Sequence, residues 1–382
     1  MTTRPVAPGR AGIDGAQAWA QSLAETHAVW DPPPSAEHFA DSVRGRLASG
    51  PAVPHLAPKF ALRADDVFFC IGSCFARVIE LELLVRDLAV SSLALRAELD
   101  EVPDLPNGFV NKFTTASMLN ELHWSLGGRP FPDEALIADG DGYRDLQLAN
   151  ARAPVTLQRA RERRRDVLEY FGRLREASVI ILTLGLVEVW YDRVTQLSLN
   201  ATPTYEMVHR FPGRFAVHAG DYAENRERLE DVCDILAREG RPDVRIVVTV
   251  SPVPLHRTFT AADVLAANVY GKSTLRAVAE DVARGRPNVE YFPAYELVTV
   301  SDRAFAFRDD QLHVSTAMAG VVATSFLTSF GLDSERRYPE YNEAPYLGAN
   351  PDVKAAVVRG DFRSGYDHWL RIGRDEGRPL SA

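Results

Sequence analysis

Two patterns of apolar and polar positions alternate along most of the chain. Strand-like apolar segments cover residues 67–71, 89–95, 179–184, 244–250 and 289–292. Those that are nearly continuous runs of Val, Ile, Leu and Phe predict strands buried on both faces. Longer stretches with apolar residues on one helical face predict helices, and they cover residues 74–88, 115–126, 155–176, 222–238, 262–282 and 316–330.

This alternation predicts an α/β fold with three layers, α/β/α, around a mostly parallel, flavodoxin-like five-stranded sheet. Ligands of such sheets bind beyond the carboxyl ends of the strands. Residues 72–74, 183–185 and 251–252 each follow a predicted strand. We therefore expect these three segments to meet in one crevice.

The two ends of the chain differ from this central domain, which we assign to residues 61–332. Residues 1–60 hold two short helical patterns, 17–26 and 36–47, but many prolines. Such a segment cannot build its own core, so we predict an N-terminal extension packed on the main domain.

Residues 333–382 predict a small helical C-terminal unit. Asn350 is a good helix cap, Pro351 suits the first helical position and Gly360 suits the end of that helix. A second short helix is expected over 364–372. We interpret the unit as a candidate surface for a protein partner or for self-association.

Composition and charge exclude several classes of function. Of the 382 residues, 46% are hydrophobic and 25% are charged, which is typical of a globular protein. The 43 basic residues are scattered among 52 acidic ones, for a net charge of −9, so nucleic acid is not an expected partner. No run approaches the roughly 20 apolar residues of a membrane span.

Cysteine usage indicates a reducing environment. The three cysteines, Cys70, Cys74 and Cys233, form no C-x-x-C pair, so neither a disulfide framework nor structural zinc is expected. The first 15 residues lack the apolar core of a secretion signal. From the sequence we therefore expect a cytoplasmic protein.

Cys74 is the first candidate for chemistry. It follows the strand-like run 67–71 and begins a helical pattern, so its thiol should lie at a helix N-terminus. Unpaired N–H groups there would stabilise a thiolate and lower the thiol pKa. The alternative is that Cys74 is a small buried apolar residue, as we expect for Cys70 within a strand and for Cys233 within a helix.

The segment 308–315 supplies the second candidate. It places Asp310 three residues before His313, just ahead of another helix. A histidine can serve as the base for a thiol, and a carboxylate can orient the imidazole. Asp310 and the adjacent Asp309 could instead cap the helix that follows.

These residues carry a family resemblance. The motif Gly72-Ser73-Cys74-Phe75-Ala76 resembles that of the GSCFA family, which is related to the SGNH hydrolase superfamily. The similarity covers roughly residues 60–330. Further matching segments are 183–190, 200–203, 251–254 and 310–313.

The resemblance implies roles for several residues. SGNH hydrolases carry Gly-Asp-Ser after the first strand, with serine as the nucleophile, so Cys74 takes the place of the nucleophile and Ser73 that of the aspartate. Their last block, Asp-x-x-His, falls on Asp310 and His313, which implies a base and its orienting carboxylate. Ser73 is an alternative nucleophile, but its hydroxyl is harder to deprotonate than a thiol.

One block departs from the superfamily pattern. SGNH hydrolases have Gly-x-Asn-Asp, and the asparagine helps to hold the oxyanion, whereas Gly185 is followed here by Leu186, Val187 and Glu188. Asn111 and Asn200 are the candidate replacements. Loss of one such donor costs about 10²–10³ in rate.

The remaining polar residues near the predicted crevice have two interpretations each. Glu188 is either a substrate contact or a solvated acid paired with Arg193. Residues 256–258 are a candidate substrate loop, and Trp190 is expected to pack in the core. Lys272 and Arg276 are expected on an exposed polar helix face.

The sequence therefore favours an acyl-transfer enzyme, either a hydrolase or an acyltransferase. Cys74 would attack an ester or thioester, on a small-molecule or glycan-linked acyl substrate, and His313 and Asp310 would handle the proton. No metal or cofactor is expected. The alternatives are a non-catalytic protein that binds a glycan or an acyl ligand, and an esterase that depends on Ser73.

Overall fold

Five parallel strands form the centre of the molecule. The computed structural model describes residues 14–93, 95, 108–149, 153–333, 335–362 and 364–381. The strands of the central sheet are β1 (Val67–Gly72), β2 (Ala89–Val90), β5 (Val179–Leu184), β9 (Arg245–Val250) and β10 (Val289–Tyr291). Their order, β2-β1-β5-β9-β10, is flavodoxin-like, and it confirms the predicted fold class.

Continuous β-branched and aromatic runs explain the central strands. β1 pairs with β5 in parallel from Phe68–Val179 to Gly72–Thr183, and every residue of β5 is buried. Strands buried on both faces need apolar side chains at every position. Only β2 is much shorter than predicted, because a 3₁₀ turn, Ser91–Leu93, follows it directly.

Helices cover both faces of the sheet, and each layer encloses its own apolar core. One face is covered by α4 (Thr115–Ser125), α5 (Leu157–Gly172), α7 (Tyr222–Glu239) and α8 (Val264–Arg284). The other face is covered by α3 (Cys74–Leu84), α9 (Ala294–Val300), α10 (Arg303–Ala306) and α11 (Thr316–Ser329).

Two antiparallel elements beyond the central sheet were not predicted. One is the hairpin of β3 (Leu136–Asp139) and β4 (Gly142–Asp145); the other is a three-stranded sheet of β6 (Glu188–Asp192), β7 (Leu197–Leu199) and β8 (Phe215–Ala219). A short helix, α6 (Tyr205–Arg210), joins β7 to β8. A small core of Ile137, Leu146, Leu199 and Met207 links the two elements.

The N-terminal segment contacts the main domain through backbone groups. It contains α1 (Gly15–Ala24) and α2 (Val43–Ser49), the second beginning later than the pattern predicts. The Ala52 N–H donates to Ser301 Oγ at 3.0 Å, and the Lys59 ammonium donates to the carbonyl oxygen of Val289 at 2.7 Å.

The C-terminal helices form a small aromatic cluster. They are α12 (Glu343–Ala349), α13 (Pro351–Arg359) and α14 (Gly365–His368), with a π turn, Trp369–Gly373, after the last. Tyr341, Tyr346, Tyr366 and Trp369 pack together against Val85, at the end of α3. No helix among the described residues is both long and apolar enough to cross a membrane.

Candidate functional site

The carboxyl ends of three neighbouring strands meet where the sequence predicts a crevice. Gly72 ends β1 with φ +152°, and a Cβ there would lie 2.5 Å from the Thr183 carbonyl oxygen, so only glycine fits. Ser73 Oγ, after β1, donates to Ser251 Oγ, after β9, at 3.2 Å. The ends of β1, β5 and β9 therefore form one continuous edge.

Cys74 begins α3, and its side chain is only partly buried. The backbone N–H groups of Cys74 and Phe75 favour a thiolate, as do the charges of Lys272 and Arg308, yet burial outweighs them and raises the thiol pKa above its usual value. The prediction of a lowered pKa in the free protein was therefore wrong, because the strand ends remove much of the sulfur's water. Cys70 and Cys233 are buried, as expected.

Ser73 has a structural part at this edge. Its hydroxyl caps α3 by accepting from the Phe75 N–H at 3.4 Å, and it donates to Ser251. The residue is 6% exposed. These bonds hold the turn that presents Cys74.

Lys272 is the main site residue that the sequence analysis misplaced. It is 2% exposed, and its ammonium donates to the Gly185 carbonyl oxygen at 2.9 Å. Burial lowers its pKa to about 7, and the neighbouring Cys74 sulfur pulls that pKa upward. The predicted exposed face was wrong for Lys272, which continues the buried stripe of Leu275, Ala279 and Val282 by one helical step.

Arg276, one turn further along α8, is half-buried in other contacts. It pairs with Glu296 and, at 2.8 Å, with Glu280, and its guanidinium lies 3.8 Å from the centre of the Tyr291 ring. It therefore stabilises the packing of α8 on the sheet.

The Asp310 and His313 side chains form a hydrogen-bonded pair in the segment between α10 and α11. His313 Nδ1 lies 2.7 Å from Asp310 Oδ2, and each side chain is 47% exposed. The bond to His313 and the backbone N–H groups of Leu312 and His313 hold the Asp310 pKa well below its usual range. The carboxylate thus caps this turn and orients the ring at once.

A tight hairpin carries this pair. Phe307 and Val314 form an antiparallel bridge, and the Arg308 N–H donates to the His313 carbonyl oxygen at 2.9 Å. The charge of Arg308, at the start of this hairpin, favours the thiolate of Cys74. Among the described residues, no hydrogen bond joins the Cys74 sulfur to the His313 ring.

The two candidate oxyanion donors have different surroundings. The side-chain amide of Asn200 forms two hydrogen bonds to the segment that contains Asn111 and Phe113. Its Oδ1 accepts from the Phe113 N–H at 3.0 Å, and its Nδ2 donates to the Asn111 carbonyl oxygen at 2.8 Å. Asn111 Oδ1 is buried without a partner, within the part of the chain that the structure describes. Because an amide oxygen only accepts hydrogen bonds, this atom is not an oxyanion donor; Asn111 stays a candidate only through its Nδ2 group, and Asn200 holds its loop.

A buried ionic network anchors that loop. The Lys112 N–H donates to the Gly72 carbonyl at 2.8 Å, and its ammonium binds Glu121 at 2.6 Å. Glu121 also pairs with Arg164 at 3.0 Å, and Arg164 pairs with Asp145. All four side chains are almost fully buried, so the loop beside Gly72 is firmly held.

Gly185 follows β5 at the centre of the edge. A Cβ there would lie 2.8 Å from the Phe113 carbonyl, so glycine lets the loop after β2 cross close to β5. The Leu186 N–H donates to the same carbonyl at 2.8 Å. The Gly185 carbonyl is the acceptor for Lys272.

Glu188 holds the loop that follows β9. Its carboxylate accepts from Thr258 Oγ1 at 2.5 Å and from the Phe259 N–H at 2.9 Å, whereas Arg193 donates to the Gly213 carbonyl. The Glu188 carboxylate therefore does not pair with Arg193, which was one of the two interpretations of this residue. Trp190 packs edge-on against Phe259, with ring centres 5.0 Å apart.

Two cavities open on either side of this loop. Leu186, Glu188 and Leu255 line both of them. The smaller cavity, about 280 Å³, is mostly apolar and includes Lys272 and Gly185. The larger, about 610 Å³, is more polar and includes Arg144, Asn200, Thr202, His256 and Arg257. Of the candidate substrate loop 256–258, His256 and Arg257 line the larger cavity, whereas Thr258 binds Glu188.

Comparison with known families agrees with the motif of the first strand end. The model of the GSCFA family matches residues 67–326, about two thirds of the chain. The match includes Cys74, Lys272, Asp310 and His313. No curated protein matches the chain.

Proposed function

The chain belongs to the GSCFA family, and we propose that it is an acyl-transfer enzyme with Cys74 as its nucleophile. The main support is the position of this thiol at the junction of β1 and α3, where the charge of the buried Lys272 side chain acts on it. A thiol at a helix N-terminus next to a cation is a suitable nucleophile for a carbonyl carbon. The similarity of the blocks to those of SGNH hydrolases supports the same reaction class.

The proposed reaction has two halves. The Cys74 sulfur attacks the carbonyl carbon of an ester or thioester, a carbon–sulfur bond forms, and the bond to the leaving alcohol or thiol breaks. His313 accepts the thiol proton and gives it to the leaving group, while Asp310 holds the ring. An acceptor hydroxyl, an amine or water then attacks the acyl-cysteine, and its proton returns by way of His313 to the sulfur.

Lys272 adds a charge to this scheme. A thiolate at Cys74 raises the pKa of the nearby amine, so the negative sulfur favours the protonated form of Lys272, while the thiol proton itself goes to His313. The ion pair offsets the desolvation that raises the thiol pKa in the free protein. Asn111 and the backbone N–H of Cys74 are the proposed oxyanion donors.

Trapping the acyl-cysteine tests the proposal directly. The protein is mixed with a panel of p-nitrophenyl esters and acyl thioesters, quenched in acid, and analysed by intact mass and by peptide mapping. We expect one acyl group on Cys74. Cys74→Ala should abolish it, while Cys233→Ala, which alters a buried thiol in α7, should leave it in place.

Two results would contradict the proposal. Turnover in Cys74→Ala that is lost in Ser73→Ala would assign the reaction to the serine, although Ser73 already caps α3 and binds Ser251. The absence of any acyl adduct and any turnover across the panel would instead favour a non-catalytic binding protein. That second candidate is favoured by the missing bond, among the described residues, between Cys74 and His313.

A further inference from the structure

The cavity beside Lys272 has the walls of a site for a hydrocarbon chain. Its volume is about 280 Å³, and its lining is mainly Leu, Val, Ala and Gly residues from the segment after β5, from β8, from α8 and from the loop after β9, with Glu188 at the start of β6. Ala266, Ala267 and Gly271 give it width on the α8 side. A Cβ at Gly271 would lie 3.2 Å from Val187 Cγ2, so a larger residue there would narrow the space.

Lys272 gives this cavity a polar end. The ammonium is buried in the cavity wall and has three N–H groups, but within the described ranges the structure gives it a single acceptor, the Gly185 carbonyl. A buried donor without its full set of acceptors is costly. A carbonyl, carboxylate or oxyanion at this end would supply an acceptor.

One wall of the cavity reaches the surface at Tyr270, which is 49% exposed and lines the cavity from the second turn of α8. An exposed aromatic side chain at an apolar cavity suits a site that receives an apolar ligand. The larger cavity adds the charged or titratable side chains Arg144, Asp145, His256 and Arg257 to its apolar lining.

We infer that this cavity, which Lys272 lines and Cys74 does not, holds the acyl chain of the substrate, with the carbonyl end at Lys272 and directed towards Cys74. The inference rests on the proposed function and names its substrate class, acyl groups of medium length. A cavity of about 150 Å³ accommodates benzene, so this one holds roughly eleven carbons by proportion. The more polar cavity is left for the leaving group or acceptor.

A chain-length series on the full protein tests this inference. We expect kcat/KM for acyl thioesters to rise from two carbons to a maximum at about eight to twelve and to fall by sixteen. Ala267→Leu fills the cavity and should lower the ratio of the decanoyl to the acetyl value at least tenfold. Ala277→Leu, an exposed position on the same helix, is the matched control and should leave that ratio unchanged.

A binding measurement separates this inference from the proposed function. Calorimetry with sodium decanoate and Cys74→Ala should show one site, and adding Ala267→Leu or Lys272→Met should weaken it tenfold or more. Decanoate binding without any turnover would support the cavity and overturn the enzyme. Turnover that is fastest with acetyl groups and insensitive to Ala267→Leu would overturn the acyl-chain site while the enzyme stands.

Discussion

The two sides of the candidate site differ in how far they are removed from water. Lys272 is 2% exposed and lies in a helix packed against the sheet, while the side chains of Asp310 and His313 are 47% exposed on a hairpin. The buried side changes the pKa of its groups through desolvation, and the exposed side through hydrogen bonds. The first can therefore set the charge on the sulfur, and the second can exchange protons with solvent and substrate.

Removing the exposed base should have the largest effect. His313→Gln is expected to lower kcat by about 10²–10⁴, the usual contribution of a positioned acid–base group. The rate at which iodoacetamide alkylates Cys74 should change less than threefold, because Lys272 and Arg308 carry the charges that act on the sulfur. His209→Gln, on exposed α6, is the control. Equal losses in both assays would contradict the division between the two sides.

The buried side should be sensitive to its supporting ion pairs. Glu121→Gln leaves Lys112 and Arg164 short of a carboxylate and should destabilise the fold by about 3 kcal/mol. Urea unfolding measures this change. Glu162→Gln, on the exposed surface of α5, should change stability by less than about 0.5 kcal/mol. A small effect of Glu121→Gln would show that the loop at Asn111 is not held by this network.

Lys272→Met should stabilise the protein at neutral pH. The folded state lowers the amine pKa from 10.5 to about 7, so the unfolded chain binds more protons between these values, and wild-type stability rises with pH there. Methionine removes that slope, and the gain at pH 7 should be about 4 kcal/mol, since the pKa falls from 10.5 to about 7 and one pKa unit is about 1.4 kcal/mol.

Urea unfolding of both proteins from pH 7 to pH 9 checks this prediction. The difference in unfolding free energy between Lys272→Met and wild type should shrink as the pH rises. A constant difference would mean that the amine is not desolvated. The same variant should alkylate more slowly at Cys74, because the thiolate loses its cation.

Asp310→Asn should have the smallest effect. The carboxylate is solvated, so its loss should lower kcat about tenfold through a less well oriented ring, and the Cys74 alkylation rate should not change. A loss as large as that of His313→Gln would mean that the pair acts as one unit. Steady-state turnover of the two single variants and the double variant distinguishes these cases.

Much of the fold could be predicted from the sequence. The strands β1, β5 and β9 are nearly continuous apolar runs, which predict a buried parallel sheet, and β10 is a shorter segment interrupted by Glu290. The β3–β4 hairpin and the three-stranded sheet were missed, because their strands are short and only partly buried. Their alternation is too brief to distinguish from loop.

The candidate site was predictable where a motif marks it and not where burial decides the chemistry. Cys74 follows a visible strand end, and Asp310 and His313 share one turn. The burial of Lys272 depends on strands some 90 residues away in sequence, including the one that precedes Gly185. The raised pKa of the Cys74 thiol has the same explanation. The residues that bury the sulfur are distant from Cys74 in sequence, so the local motif does not show them.

The wide spacing of the site residues along the chain determines when the site can form during synthesis. Cys74 leaves the ribosome long before Lys272, and His313 emerges later still. Domains fold as units once enough chain is available. A partly made chain would therefore expose its thiol with neither companion in place, and chemical competence would arrive only after the segment that carries His313 has been made.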